Sequence, residues 1–188
     1  MNKPTKIILG SQSPRRYEIL ADAGFEIEVI KPKVEERFPF DLAYSKVPEY
    51  LSKLKMHDIY SFVGDDSDYI ICADTVVLFE KKLVGKPKNL DIAFKTLKAM
   101  NGKAHEVITG VSIRKNKKQI SFSEHAMVYF KELSDAEIRH YVDNFSPLDK
   151  AGAYNIQEYV GVDKLEGEFQ NVMGLPIQRV LKEIKGWK

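Results

Sequence analysis

The sequence has one cysteine, one tryptophan and almost no net charge: 29 Lys and Arg stand against 27 Asp and Glu in 188 residues, a balance of +2. So small an excess lacks the positive field of a nucleic-acid or anionic-membrane binder. The lone Cys72 excludes an intramolecular disulfide and, without clustered partners, a cysteine metal site. It reads as a small buried hydrophobe. No apolar run approaches the ~18–20 residues of a spanning helix, and the one in MNKPTKIILG is too short for a signal peptide. The sequence therefore predicts a soluble, cytoplasmic protein with neither membrane nor nucleic acid as partner. His57, His105, His125 and His140 show no ligand spacing and no nucleophile–base pairing, which weighs against a Ser/His/Asp hydrolase. No repeat or low-complexity linker divides the chain. Its length suits a single domain over residues 1–188, and 44% hydrophobic with 30% charged residues is ordinary for a globular protein.

What is present is a mixture of strand and helix signals. KIIL (6–9) reads as a buried strand passing through GSQS into a helix, with Ser13 as N-cap and Pro14 at the first helical position. Tyr17, Leu20 and Ala21 form its expected apolar stripe, and Gly24 stops it. A strand follows at 25–30, then a helix over 46–63 with Val47, Tyr50, Leu51 and Leu54 at helical spacing. IICADTVVLF (70–79) predicts a long strand ending near VGKP. Asn89 caps a helix carrying Ala93, Leu97 and Met100. A hairpin turns around 115–118, with Ile120, Phe122, Ala126, Val128 and Phe130 alternating onto one face. Ser134 and Glu137 make a capping box, a short strand falls near 159–165, and the last helix runs from NVMGLP to about residue 185. The pattern is α/β: a mixed, twisted sheet with flanking helices.

The candidate chemistry begins with Asp74, a carboxylate within an apolar strand, where an isolated charge costs several kcal/mol. Asp74 therefore needs a partner, a metal or a catalytic task. By alternation Thr75 points to the opposite face, so presenting both residues to one ligand asks for a bend or bulge. SQSPRR places Ser11, free helix-start N–H groups, Arg15 and Arg16 where an anion would sit. Spacing alone favours a capping Ser13 with solvated arginines, although cations at a helix N-terminus oppose the dipole. Its single glycine fits neither a Walker A loop nor a dinucleotide fingerprint. Glu35 and Glu36 are paired acids that, with Asp74, offer oxygen ligands to Mg²⁺. Lys53 and Lys55 read as solvated helix lysines. Lys86, in a tight turn, is a turn lysine or a phosphate binder. Gln157, in DKAGAYNIQ, offers a donor and an acceptor to a base edge.

In order, SQSPRR, VEE, ADT, GKP, HEVITG, DKAGAY-IQ and NVMGLP resemble the Maf family of nucleoside triphosphate pyrophosphatases, from Leu9 to Leu181. The resemblance implies two lobes about a cleft, distantly similar to the inosine triphosphate pyrophosphatases. It implies hydrolysis of a nucleoside triphosphate to the monophosphate and pyrophosphate with a divalent metal, Mg²⁺ or Mn²⁺, and it admits a homodimer. By motif position it makes Asp74 the proton acceptor and Glu36 the metal-associated carboxylate. Ser11, Arg15, Arg16, Lys55 and Lys86 become phosphate-binding residues. Arg15, Thr75 and Gln157 match the branch similar in preferring dTTP and UTP, with modified pyrimidine nucleotides as further substrates and a role in nucleotide-pool housekeeping or cell-division control. The usual GIQG reads NIQE here, with Asn155 and Glu158 in place of glycines beside the expected base pocket. The alternatives are a 7-methyl-GTP or modified-nucleotide pyrophosphatase and a non-catalytic nucleotide-binding regulator of septum formation. Whether Asp74 is a metal ligand or a general base stays open at this stage.

Overall fold

Successive side chains of a strand face opposite ways, so the buried strands IILG and IICAD must each satisfy two cores. The computed structural model, which describes residues 5–64 and 69–187, shows how they do so. In chain order it contains β1 (Lys6–Gly10), α1 (Pro14–Asp22), β2 (Glu26–Val29), α2 (Val47–Val63), β3 (Tyr69–Phe79), β4 (Lys82–Val84), α3 (Leu90–Met100), β5 (Ala104–Lys115), β6 (Lys118–Phe130), α4 (Asp135–Asn144), β7 (Val162–Glu166), α5 (Phe169–Met173) and α6 (Ile177–Lys185). One seven-stranded sheet runs in the order β2-β1-β3-β5-β6-β7, with β4 added to β3. β2, β1 and β3 are parallel; the remaining pairs are antiparallel. The expected mixed α/β fold is what forms.

On one face Ile8, Ile70 and Cys72 pack against Met56 and Ile59 of α2. Gly110 lets α2 lie this close, since a Cβ there would stand 2.1 Å from the backbone nitrogen of Glu49. On the other face two separate cores form. Ile71, Ala73, Val111 and Ile113 join Ile19, Leu20 and Val180 in the first. Val77 and Val107 join Leu97, Ile138 and Tyr141 in the second. Between them, in register across β3 and β5, sits a polar pair, Thr75 opposite Thr109. This polar waist separates two lobes, and a cleft of about 970 Å³ opens there.

Several local expectations change. The strand from residue 70 does not run to VGKP. It ends at Phe79, and β4 folds back on it with Phe79 opposite Lys82. Glu80 and Lys81, which make that two-residue turn, both have positive φ, 48° and 62°, as a type I′ hairpin requires. Neither is the Gly or Asn that normally announces it. In α1 the inward residues are Arg16, Ile19 and Leu20; Tyr17 is 45% exposed, and Ala21 is also exposed. In α2 the buried stripe is Val47, Leu51, Ser52, Lys55, Met56 and Ile59, which replaces Tyr50 and Leu54 with two polar residues. A short α5 precedes α6, where only the latter was expected. Both caps at Ser13 and Asn89 form, as does the full Ser134–Glu137 capping box.

Candidate active site

β1 stops at Gly10, opposite Cys72, and β4, running back along β3, ends at Val84, opposite Val77. Among the described residues, residues 73–76 of β3 therefore have a ladder partner on the β5 side only. This gap in the sheet answers the problem of two adjacent residues facing one ligand. The β3–β5 register runs unbroken from Ile70 to Leu78, so the expected bend or bulge is absent. Asp74 reaches the cleft from one face of the open edge and Thr75 from the other.

On the Asp74 face one ammonium serves two carboxylates. Lys55 Nζ lies 2.5 Å from Asp74 Oδ1 and 2.7 Å from Glu36 Oε1. Asp74 is 8% exposed and Lys55 7%, which corrects the reading of Lys55 as a solvated helix lysine. Its inward turn has a cause: a buried carboxylate at the mid-sheet requires a cation, and position 55 falls on the buried stripe of α2. The Glu36 side chain, in the loop after β2, remains more than half exposed. Burial raises the Asp74 carboxyl above the usual carboxylate range, against the opposing pull of Lys55 and Arg16. Burial pushes Glu36 the same way, but its bond to Lys55 and the charges of Lys55, Lys86 and Arg16 bring it out lowered. The two acids thus diverge, with the deeper one the better proton acceptor near neutrality.

Arg16 is also buried, not solvated as helix spacing had favoured. Burial lowers its pKa, with the Asp74 charge opposing. Three donors are used inside the protein: Nε to the Gly174 carbonyl at 2.8 Å, Nη1 to Ser11 Oγ at 3.1 Å and Nη2 to Thr75 Oγ1 at 3.1 Å. These bonds tie α1 to β3 and to the end of α5, and the cation's conflict with the α1 dipole is offset by Asp74. Ser11 Oγ also accepts the Ser13 N–H at 3.1 Å. With both lone pairs engaged, its own proton is left to donate. Gly174, at φ +112°, keeps the approach open: a Cβ there would stand 3.3 Å from Arg16 Nε and 3.4 Å from Thr75 Oγ1.

Arg15 and Lys86 line the cleft as well. Gln157 is exposed and donates its backbone N–H to Asn155 Oδ1 at 3.2 Å; its neighbours Asn155 and Ile156 line the cleft. Asn155, the replacement for a usual glycine, is buried and donates its N–H to the Tyr141 hydroxyl at 2.8 Å. Two residues at the waist escaped the sequence reading. Thr109 and Asn171 are both fully buried, and Thr109 Oγ1 donates to the Asn171 carbonyl at 2.9 Å. Thr109 carried a signal of the same kind as Asp74, a polar residue inside an apolar run, VITGV. Among the described residues no helix is long and apolar enough to cross a membrane.

The family described as Maf-like protein matches residues 6–187. The chain belongs to the Maf family. This Maf protein is 43% identical over 184 residues to a Bacteroides thetaiotaomicron protein named dTTP/UTP pyrophosphatase, covering 96% of this chain and 95% of the other. A Cytophaga hutchinsonii protein of the same name is 42% identical over 184 residues, covering 96% and 84%. Among solved structures, the Staphylococcus aureus Ham1 protein superposes with a TM-score of 0.54 at 12% identity, over 97% of this chain and all of that one. That likeness shows a shared fold.

Proposed function

We propose that this Maf protein hydrolyses nucleoside triphosphates, dTTP and UTP foremost, to the monophosphate and pyrophosphate, the chain acting as one catalytic unit. The observation that carries the reading is one buried carboxylate, Asp74, in a cleft wall where cations outnumber acids six to three. Arg15, Arg16, Lys31, Lys55, Lys86 and Lys150 line the cleft against Glu36, Asp74 and Asp149. That local excess of three positive charges exceeds the +2 of the entire chain. Such a wall suits a polyphosphate, and the near-identical span of relatives named dTTP/UTP pyrophosphatase supports the choice of base.

In this reading Asp74 orients a water against the α-phosphorus and takes its proton as the bond to the pyrophosphate leaving group breaks. A raised pKa makes it a stronger base than an exposed Asp. Lys55 has three N–H donors; two serve Asp74 and Glu36, and the third is left for a phosphate oxygen. Ser11 adds its free proton, and Arg15 and Lys86 hold the outer phosphates, so that developing charge meets donors already in place. Glu36 Oε1 and Asp74 Oδ1, gathered at one Nζ, are the carboxylates that Mg²⁺ or Mn²⁺ would take alongside phosphate oxygens and water. Among the described residues no group of three or more His, Cys, Asp or Glu could hold a metal ion. The donor set therefore fits a cation arriving with the nucleotide rather than one caged by protein alone. Such an ion supplies charge neutralisation on the phosphates.

The test is a panel of dTTP, UTP, CTP, GTP, ATP and 7-methyl-GTP with Mg²⁺ or Mn²⁺, scored by kcat/KM for pyrophosphate release. dTTP and UTP are expected to lead by about tenfold or more. A lead by 7-methyl-GTP would replace the base assignment, and binding without release would replace the enzyme with a nucleotide-binding regulator.

A further inference from the structure

The hydroxyls at the waist form a chain whose proton direction follows from counting donors. Thr109 Oγ1 lies 2.9 Å from the Asn171 carbonyl and 2.9 Å from Thr75 Oγ1. A carbonyl only accepts, so the single Thr109 proton goes to Asn171. Thr109 must then accept from Thr75. Thr75 in turn receives Arg16 Nη2–H, at 3.1 Å, and a guanidinium has no lone pair to take a proton from it. The relay runs one way, from Arg16 through Thr75 and Thr109 to Asn171. The Arg16 Nε bond to the Gly174 carbonyl and the Gly174 N–H bond to the Asn171 carbonyl close it into a ring.

Thr75 is left with one unused valence, a lone pair beside the cleft. Toward a ligand it can accept and cannot donate. Besides the internally bonded Arg16, the cleft lining on its face is apolar: Val77, Ile156, Val172 and Met173 all belong to the two cores there. The charged cluster of Lys55, Glu36 and Asp74 lies on the other face. Phosphates therefore belong on the Asp74 side of the open edge and a base ring on the Thr75 side.

We propose that Thr109 is a specificity-determining positioning residue: by consuming the Thr75 proton it makes Thr75 an obligate acceptor, matched to the imide N3–H of uracil or thymine. Cytosine presents a bare acceptor nitrogen at the same ring position, so acceptor would face acceptor, and one buried polar mismatch of this kind is strongly selective. The inference rests on the pyrophosphatase reading above and adds to it the atom that separates two pyrimidines. Thr109 touches no substrate; it acts through Thr75.

Thr109→Val keeps the shape and removes the acceptor, which frees the Thr75 proton to meet cytosine N3. The expected result is a fall of about tenfold in the UTP-over-CTP ratio of kcat/KM, with the CTP value itself rising. Thr109→Ser retains the hydroxyl and keeps the wild-type ratio. Damage to the fold would lower both substrates and could not raise CTP. Should Thr109→Val fail to fold, Thr75→Val serves instead, and the ratio then falls through loss on UTP. A folded Thr109→Val or Thr75→Val enzyme with activity on UTP and an unchanged ratio would overturn this assignment while leaving the pyrophosphatase reading in place. No turnover of any triphosphate by the unaltered protein would overturn both.

Discussion

Asp74→Asn folds, melts within a few degrees of the unaltered protein, and loses about 10³-fold in turnover. The two halves of this result come from one property of the site. Asp74 is a carboxylate 8% exposed on a core strand, so its charge is costly to hold in the fold. Asparagine keeps the shape and an acceptor oxygen for Lys55, and it removes the desolvated charge. Lys55 keeps Glu36 as its counter-ion at 2.7 Å, so its charge stays paired and the fold is kept. What vanishes is the proton acceptor and one of the two carboxylates that converge on Lys55 Nζ. Circular dichroism melting and a single-turnover assay on the same sample check both halves. A folded variant that keeps more than about a tenth of the activity would remove Asp74 from the chemistry.

Lys55→Met has the complementary outcome: activity is lost, and the fold weakens in a pH-dependent way. Removing the cation leaves Asp74 buried without its hydrogen-bonded partner, and breaking a buried pair from one side costs about 3 kcal/mol or more. For a chain of this length that is a fall of roughly 10 °C in Tm. The sign with pH follows from the direction of the Asp74 shift. Burial raises its pKa in the native protein, and loss of Lys55 removes the main opposing charge and raises it further. A carboxyl whose folded pKa lies above its unfolded one contributes stability below the unfolded value and loses it as pH rises through the folded value. The Lys55→Met deficit is therefore smaller in acid, as Asp74 takes up its proton, and larger at pH 8. Adding Asp74→Asn to Lys55→Met recovers much of the loss at pH 8. A deficit equal at both pH values, with no recovery in the double variant, would show that Lys55 contributes through packing of its stem alone.

What could be read in the sequence was mostly written in local chemistry. The Ser13, Asn89 and Ser134 caps each need only residues within one turn, and all three form. The β5–β6 hairpin is legible in the alternation of its second arm, and Asn116 in its turn takes a positive φ of 53°. The β3–β4 hairpin does not, because Glu80 and Lys81 adopt the same region without being Gly or Asn. Arg16 and Lys55 were misplaced for a shared reason. Periodicity counts apolar residues as inward, whereas both cations are drawn in by one buried carboxylate far away in sequence. The gap at residues 73–76 depends on where β1 and β4 end, a matter of register that no single segment contains. Thr109 shows the same limit: its role is visible only once Arg16, Thr75 and Asn171 stand beside it.

The central claim is that the cleft cleaves a nucleoside triphosphate between its α- and β-phosphates. Phosphorus NMR of the purified protein with UTP and Mg²⁺ tests it most directly. The account predicts that UMP and pyrophosphate accumulate in equal amounts, with no UDP and no early inorganic phosphate. UDP with inorganic phosphate, or an unchanged UTP spectrum beside measurable binding, would contradict it.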